Sequence, residues 1–491
     1  MKPKNPSNQI KRLQYVLENR LDERFLINPY FRISKITPEQ VKKYRWINSN
    51  MRPEIILILG IPRLVLNIAS TLAHIVLSVL FNHQYATMLK SRKLVNSLFL
   101  SHAIAGNLGS EKTDQYFAQM PNYLQSKGQK VTIVYTNQTR KRYSRLLEKL
   151  KAKNKNLNVL LIPKFLSPSK SLRFLFISAN LASRCMWIGI NNLNSSPRDS
   201  QILFAATSHF FSRNSYNNYL IKESLIEIQS LGKPDRLLLT LEGHSYEQYV
   251  TDALASLDVK CRYVFYQHSP LVPGSVGITS FIQGLTKQHT ILLTGKVYKQ
   301  YLAKVSRTPK YSVVGSQKTK GQFRQLSGNN AEILLFTPEG TVYATKEFIN
   351  LINHLIESNP SEKFVLRLHP GLRKNIRINF LIRRLQKHSS FELSSSSLHN
   401  DLSRSRYVFY RSSAVGVEAL RSNAVLVFYS NGKDSELNPL SLVNDSCLVA
   451  ADTNEVIQLL AGKHKNVDRS HRSRVSKNLF EQLNYSVLDR V

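Results

Sequence analysis

The chain has 491 residues, 42% of them hydrophobic, and a formal net charge of +36. That length is more than one ordinary core can use and that apolar content excludes a disordered chain, so two or three folded domains are expected. The charge predicts attraction to nucleic acid, an anionic membrane face or phosphate-bearing ligands, while the scattered Cys185, Cys261 and Cys447 exclude a disulfide framework and zinc-ligand spacing.

Residues 1–52 are rich in Lys and Arg, with helical periodicity around residues 10–25 and no apolar core of the kind a secretory signal needs. The most apolar part of the chain follows: Ile55–Ile61, then Pro62, then Leu64–Phe81. A spanning helix needs about 20 mostly apolar residues, and Pro62 interrupts this run. Arg63, Asn67, Ser70, Thr71, His74 and Ser78 recur every three or four residues, which puts them in one stripe of a helix. The stripe favours a helix in the membrane interface over one packed in a core, and either over a span. Arg52, Arg63, Lys90, Arg92 and Lys93 alongside it favour an anionic leaflet.

From Ser97 the pattern becomes strand, loop, helix, strand, the signature of parallel sheets with crossover helices. Leu98–Leu100 ends on Ser101-His102, and a helix is expected over Asp114–Ser126 with Gly128 as its stop. Val131–Tyr135 is a strand, followed by a basic helix through Arg140, Lys149 and Lys155 that reads as a solvated face or a contact for anionic lipid. Leu172–Ile190 holds Arg184 within an apolar run and reads as a buried helix. Leu237–Leu241 is a strand ending on Glu242-Gly243-His244, and Ser245 and Gln248 have capping-box spacing for the next helix. Tyr263–Tyr266 ends on Gln267-His268. A second α/β run is expected from about Thr290, with strands ending at Thr337-Pro338-Glu339-Gly340, at His369-Pro370 and at Tyr410-Arg411-Ser412-Ser413. Residues 468–491 read as a polar surface helix.

Strand ends are where open α/β sheets collect ligands. A histidine there can donate to a phosphate or carry a proton, although His369 alone can equally brace a loop and Ser412-Ser413 alone can be a helix cap. Arg367, Arg373, Lys374 and Arg411 can neutralise a phosphate. No zinc finger, helix-turn-helix or RNP-type motif accompanies the dispersed basic residues, so nucleic acid is not expected as a partner. The rival readings are a basic nucleic-acid-binding protein and a non-catalytic membrane scaffold.

Taken together, His369-Pro370, the SS-x-x-G-x-E-A-L segment from Ser412 and the strand AVLVFY resemble the C-terminal half of GT-B glycosyltransferases. The likeness is to bacterial surface-polysaccharide enzymes: sialyl- and polysialyltransferases that use CMP-sugars, capsule transferases and CDP-glycerol glycerophosphotransferases. The N-terminal patches SHAIAGNLGSEKTDQYF, VTIVYTN, LEGHSYEQ and YQHSPLVP resemble predicted surface-carbohydrate biosynthesis proteins. The resemblance implies that His369, with Pro370 fixing the backbone, and Ser412 and Ser413 hold the donor phosphate beside Arg411. It also implies that Glu418 holds the ribose, and that Thr337, Glu339 and Gly340 lie along the donor.

The sialyltransferase pattern has two acids before a glycine, whereas this chain has Leu241-Glu242-Gly243. Glu242 is then the nearest base, with His244, Glu247 and His268 as rivals.

The expectation is an α/β protein of two Rossmann-like domains facing across a cleft. A basic N-terminal extension with an interfacial helix (1–95) precedes an acceptor domain (96–285), a nucleotide-donor domain (286–465) and a C-terminal helix (466–491). The expected activity is transfer of a sugar from a nucleotide-activated donor to a surface polysaccharide or lipid-linked glycan at the cytoplasmic face of a bacterial inner membrane. Polyol-phosphate transfer of the CDP-glycerol kind is the alternative. Metal and resident cofactor are not expected, the nucleotide sugar being a co-substrate.

Overall fold

Short apolar runs bounded by polar turns become buried parallel strands because both faces of such a strand are covered by crossover helices. The computed structural model describes residues 52–90, 95–103, 114–139, 141–232, 234–255, 260–317, 332–430, 437–443, 446–462 and 469–491. The basic arm before them, the loop following His102 and most of 316–330 lie outside the described residues.

The first part contains helices α1 (Pro53–Leu80) and α2 (Asn82–Lys90), strand β1 (Ser97–Ala103), α3 (Met120–Ser126), β2 (Val131–Asn137), α4 (Tyr143–Lys153) and β3 (Asn158–Leu161). It continues with α5 (Pro168–Asn191), α6 (Pro197–Thr207), α7 (Arg213–Gly232), β4 (Arg236–Thr240), α8 (Ser245–Ala255), β5 (Arg262–Tyr266), α9 (Val276–Gln283), β6 (Thr290–Leu293), α10 (Lys296–Val305) and β7 (Lys310–Val313). The second part contains β8 (Ile333–Thr337), α11 (Val342–Ser358), β9 (Lys363–Leu366), α12 (Ile376–Leu385), β10 (Phe391–Leu393), α13 (Leu398–Arg404) and β11 (Ser405–Tyr410). It ends with α14 (Ala414–Glu418), β12 (Val425–Tyr429), β13 (Leu448–Ala450), α15 (Thr453–Ala461) and α16 (Arg469–Leu479).

Two sheets result, ordered β3-β2-β1-β4-β5-β6-β7 and β10-β9-β8-β11-β12-β13. Every strand pair within them is parallel. The strand order reverses between β1 and β4 in the first sheet and between β8 and β11 in the second, which marks the two places where a doubly wound sheet opens for a ligand. This is the α/β architecture of two doubly wound, Rossmann-like sheets expected from the sequence. The division falls later than the expected residue 286, because β6 pairs with β5 and β7 with β6 in the first sheet.

Four local expectations are corrected. Asp114–Gln119 is a turn, not a helix, because the Asp114 carboxylate accepts from the backbone N–H groups of Tyr116 and Phe117. Pro62 does not break α1, which runs through it for 28 residues. Helix α5 is only half-buried: Phe174, Leu181 and Cys185 face the core, whereas Phe176 and Trp187 face outward. The tail is not a surface helix, since α16 stops at Leu479 and the chain beyond it docks on the first sheet.

That docking is built from backbone. The Glu481 N–H donates to Thr294 O at 2.7 Å and the Ser316 N–H donates to Glu481 O at 2.9 Å. The buried Arg236 guanidinium donates to Leu488 O at 2.7 Å. Gly315 allows this approach: it sits at φ +84°, and a Cβ there would overlap the Gln482 carbonyl. Gly315→Ala is expected to cost about 2–3 kcal/mol in urea denaturation. An unchanged midpoint would mean that the tail does not lie on Gly315.

Candidate active site

The carboxyl edge of the first sheet gathers six polar or aromatic side chains. Glu242 and His244 follow β4, His268 follows β5, His102 is the last residue but one of β1, Tyr246 lies in the first turn of α8, and Tyr116 comes from the turn after Asp114. Adjacent strands deliver them because β1, β4 and β5 are neighbours at the switch in strand order. The Glu242 carboxylate is the hub, with His268 Nε2 at 3.2 Å from Oε1 and His244 Nε2 at 3.1 Å from Oε2. Burial alone would raise its pKa, but the hydrogen bonds from His244 and His268 outweigh burial and hold it well below the usual carboxylate range.

Because His268 uses Nε2 toward the carboxylate, Nε2 carries the hydrogen and Nδ1 is left as an acceptor. That Nδ1 is buried and has no hydrogen-bond partner among the described residues. The Tyr116 ring meets the His268 imidazole edge-on at 4.8 Å and the His102 ring at 5.3 Å. His102 is sandwiched between Thr136 Oγ1, 2.7 Å from Nδ1, and the Tyr246 hydroxyl, 2.8 Å from Nε2. Burial lowers its pKa to about 4, so it stays neutral near pH 7.

The one other acid named as a rival, Glu247, holds the backbone. The buried Glu247 carboxylate accepts from the N–H groups of Glu242, Gly243 and His244 at 2.9, 2.7 and 3.1 Å. It clamps the loop that carries the hub, and burial pushes its pKa up to about 7. The Asp114 carboxylate, besides closing its turn, accepts from Ser101 Oγ and the Tyr135 hydroxyl.

On the second sheet, β8, β9 and β11 are neighbours, and the turns following them lie together. A Cβ on Gly340 would stand 3.0 Å from His369 Nδ1, so the turn after β8 lies against the imidazole. The Gly371 N–H donates to His369 Nδ1 at 3.2 Å, which turns Nε2 into the hydrogen-bearing atom. Burial lowers the His369 pKa.

Arg411 is fully buried, with its guanidinium carbon 5.6 Å from the Tyr343 ring centroid. Ser412 sits at φ +43°, a left-handed backbone that a serine adopts only under strain. The Ser413 hydroxyl caps α14 by accepting from the Val415 N–H at 3.2 Å. Glu418 ends α14, half-buried, with Arg421 as a charge partner. Gly416 is needed for packing, because a Cβ there would stand 2.5 Å from the Tyr410 ring.

Some expected donor contacts are spent elsewhere. Thr337 is buried and its hydroxyl donates to Phe409 O at 3.1 Å, so it fastens β8 to β11. Buried Glu339 accepts from Thr341 Oγ1 at 3.2 Å, beside the cap of α11. Arg367 donates to Asp401 Oδ2 and Ser396 O, both at 2.8 Å, and braces the β9 exit instead of pointing at a phosphate. Pro370 is exposed beside His369, and Arg373 and Lys374 are exposed beyond it. Sequence reasoning missed His102, Tyr116 and Tyr246. Their only signal was the ending of β1 on a histidine, since their partners lie far away along the chain.

No protein-family profile matches this chain, and no curated protein sequence matches it. Among solved structures, a glycosyltransferase from Rickettsia africae is similar at 13% identity and TM-score 0.46, covering 81% of this chain and 97% of its own. A UDP-GlcNAc 2-epimerase from Neisseria meningitidis bound to UDP-GlcNAc is similar at 14% identity and TM-score 0.44, covering 77% and 97%. The catalytic domain of starch synthase IV from Arabidopsis thaliana, bound to ADP and acarbose, is similar at 12% identity and TM-score 0.40, covering 81% and 98%. The assignment of two doubly wound domains rests on this chain's own strand order and pairing.

Proposed function

We propose that this chain transfers a glycosyl group from a nucleotide-activated donor to a hydroxyl acceptor, with a surface glycan or lipid-linked glycan as the acceptor class. One observation carries the reading: Glu242 orients His268 so that Nδ1 is a buried proton acceptor, without a partner among the described residues, at the carboxyl edge of the first sheet. This is a base held by a carboxylate, the arrangement that makes a weak nucleophile reactive. The acceptor hydroxyl oxygen forms a bond to the anomeric carbon as the bond from that carbon to the donor phosphate oxygen breaks. The electron pair leaves on the phosphate. The hydroxyl proton passes to His268 Nδ1, and the imidazolium so formed is stabilised by Glu242.

The donor phosphate lies at the second sheet's edge, where the His369 Nε2–H, Ser412 and the Arg411 charge supply donors and positive potential. Glu418 accepts from the ribose hydroxyls. These residues hold and orient the donor, and the nucleotide sugar enters as co-substrate.

A thermal-shift panel of CMP, CDP, UDP, GDP and ADP tests the donor side. One nucleotide is expected to stabilise the wild type by about 3 kcal/mol at a hundredfold excess over its Kd, and His369→Ala is expected to lose most of that shift. A panel without any response, or an equal response in the variant, overturns the donor assignment.

A further inference from the structure

Helix α1 is amphipathic in the wrong sense for a soluble protein. Its polar stripe faces the protein: Asn67 Nδ2 donates to Ser208 O at 2.8 Å, and buried Thr71 donates to Phe211 O at 3.0 Å. His74 packs against Tyr216 and Phe165. The apolar side faces outward, with Leu66 at 70% and Val76 at 63% exposure.

Helix α5 packs beside α1 and repeats the pattern, with Phe176 and Trp187 about two-thirds exposed and Leu172 and Ile190 on the same side. Isolated exposed apolar residues are ordinary, but a surface continuous over two long helices marks an interaction site. Among the described residues, the exposed charged side chains of the two helices and the residue before α1 are Arg52, Arg63, Arg173 and Arg184, with Glu54 the one acid.

We infer that α1 and α5 together form a docking surface for an anionic lipid bilayer, lying in the plane of the interface. The apolar side enters the acyl boundary, Trp187 sits at headgroup depth, and the arginines meet lipid phosphates. The interfacial orientation follows from the bonds at Asn67 and Thr71, which hold α1 lengthwise along α6 and the turn 208–211. The helix is long and apolar enough to cross a membrane. A crossing would draw the elements bonded to it into the hydrocarbon, including α6 with Arg198 and Asp199. An acceptor carried on a lipid would meet the enzyme at the same surface.

The test is sedimentation of the full chain with vesicles of phosphatidylcholine alone and of phosphatidylcholine and phosphatidylglycerol in equal parts. Binding to the anionic vesicles is expected to be about tenfold tighter than to the neutral ones. The double variants Leu66→Glu with Val76→Glu, and Phe176→Glu with Trp187→Glu, are expected to weaken it by about tenfold or more with circular dichroism unchanged. Since the chain has two tryptophans, Trp46→Phe isolates Trp187, whose emission is expected to shift blue on the vesicles and to be quenched by brominated lipid.

Three results overturn the inference: no binding to either vesicle, a lipid-free dimer abolished by the same double variants, and retention in native membranes after alkaline carbonate extraction. The second assigns the surface to another copy of the chain and the third to a span. The nucleotide panel is read separately, so failure of the lipid surface and failure of the donor site are distinguishable.

Discussion

Replacing His268 with alanine is expected to lower turnover about 10²–10⁴-fold while leaving the nucleotide-induced thermal shift in place. The split follows from geometry: His268 is on the first sheet beside Glu242, and the donor-holding turns are on the second. Glu242→Gln keeps a side chain able to hydrogen-bond but removes the charge that stabilises the imidazolium, so it is expected to cost a comparable factor. The double variant is expected to be little worse than either single one, because groups that act as one unit are not additive. Release of nucleotide from the sugar donor in the presence of acceptor measures all three variants. If His268→Ala loses less than tenfold, or if the two losses multiply, the dyad is not the base.

The second large effect concerns pH. His102 is held neutral, with a folded pKa of about 4 against the ordinary 6.5. Its contribution to stability is present above pH 6.5 and is lost as pH falls from there towards 4. Glu247 is pushed up to about 7 from 4.5. Its contribution is present below pH 4.5 and is lost as pH rises towards 7. A shift of this size is worth about 3 kcal/mol for either group.

Between pH 4.5 and 6.5 the two slopes oppose each other, so the wild type is expected to show little net change from this site. His102→Asn is expected to gain about 3 kcal/mol relative to wild type as pH falls from 7 to 4.5, because Glu247 then titrates without its counterweight. Glu247→Gln is expected to lose about 3 kcal/mol over the same interval. Urea midpoints at pH 7, 5.5 and 4.5 measure the slopes independently of each variant's absolute stability. Parallel slopes in all three proteins would remove this assignment.

The strands and their loaded ends were legible because a buried parallel strand is a short apolar run with a polar stop. Leu237–Leu241 before Glu242 and Phe364–Leu368 before His369 show this directly. Sheet membership was not legible, since β6 and β7 look locally like the start of a new unit and belong to the first sheet only through pairing with β5. The polar stripe of α1 was visible as a stripe, but spacing says nothing about which side meets the protein. The outward side of α5 was hidden for the same reason, as Phe176 and Trp187 have the residue types of a core.

The candidate site was half legible. Glu242 and His268 stood out as strand-end residues, but their joint geometry needs two strands that are 26 residues apart in register, Thr240 beside Tyr266. Thr337 and Arg367 had the right types in the right turns and proved to hold strands together. No local pattern tells a hydroxyl or guanidinium aimed at a ligand from one aimed at a neighbouring carbonyl.

The returning tail has a mechanical consequence. The two domains are joined once by the chain between Val313 and Ile333, and a second time where α16 hands the chain back. Helix α16 is fastened to the second domain by Arg472, which donates to Ala424 O at 2.6 Å, and by the Arg421–Ser476 hydrogen bond at 2.9 Å. Two residues past its end, Glu481 is already bonded to Thr294 of the first domain. With two crossings, parting the domains would have to break the Arg472 and Arg421 bonds on one side of α16 or the Glu481 bond on the other. The tail is a clasp: the last turns of the chain hold together two units that the linker alone would only connect.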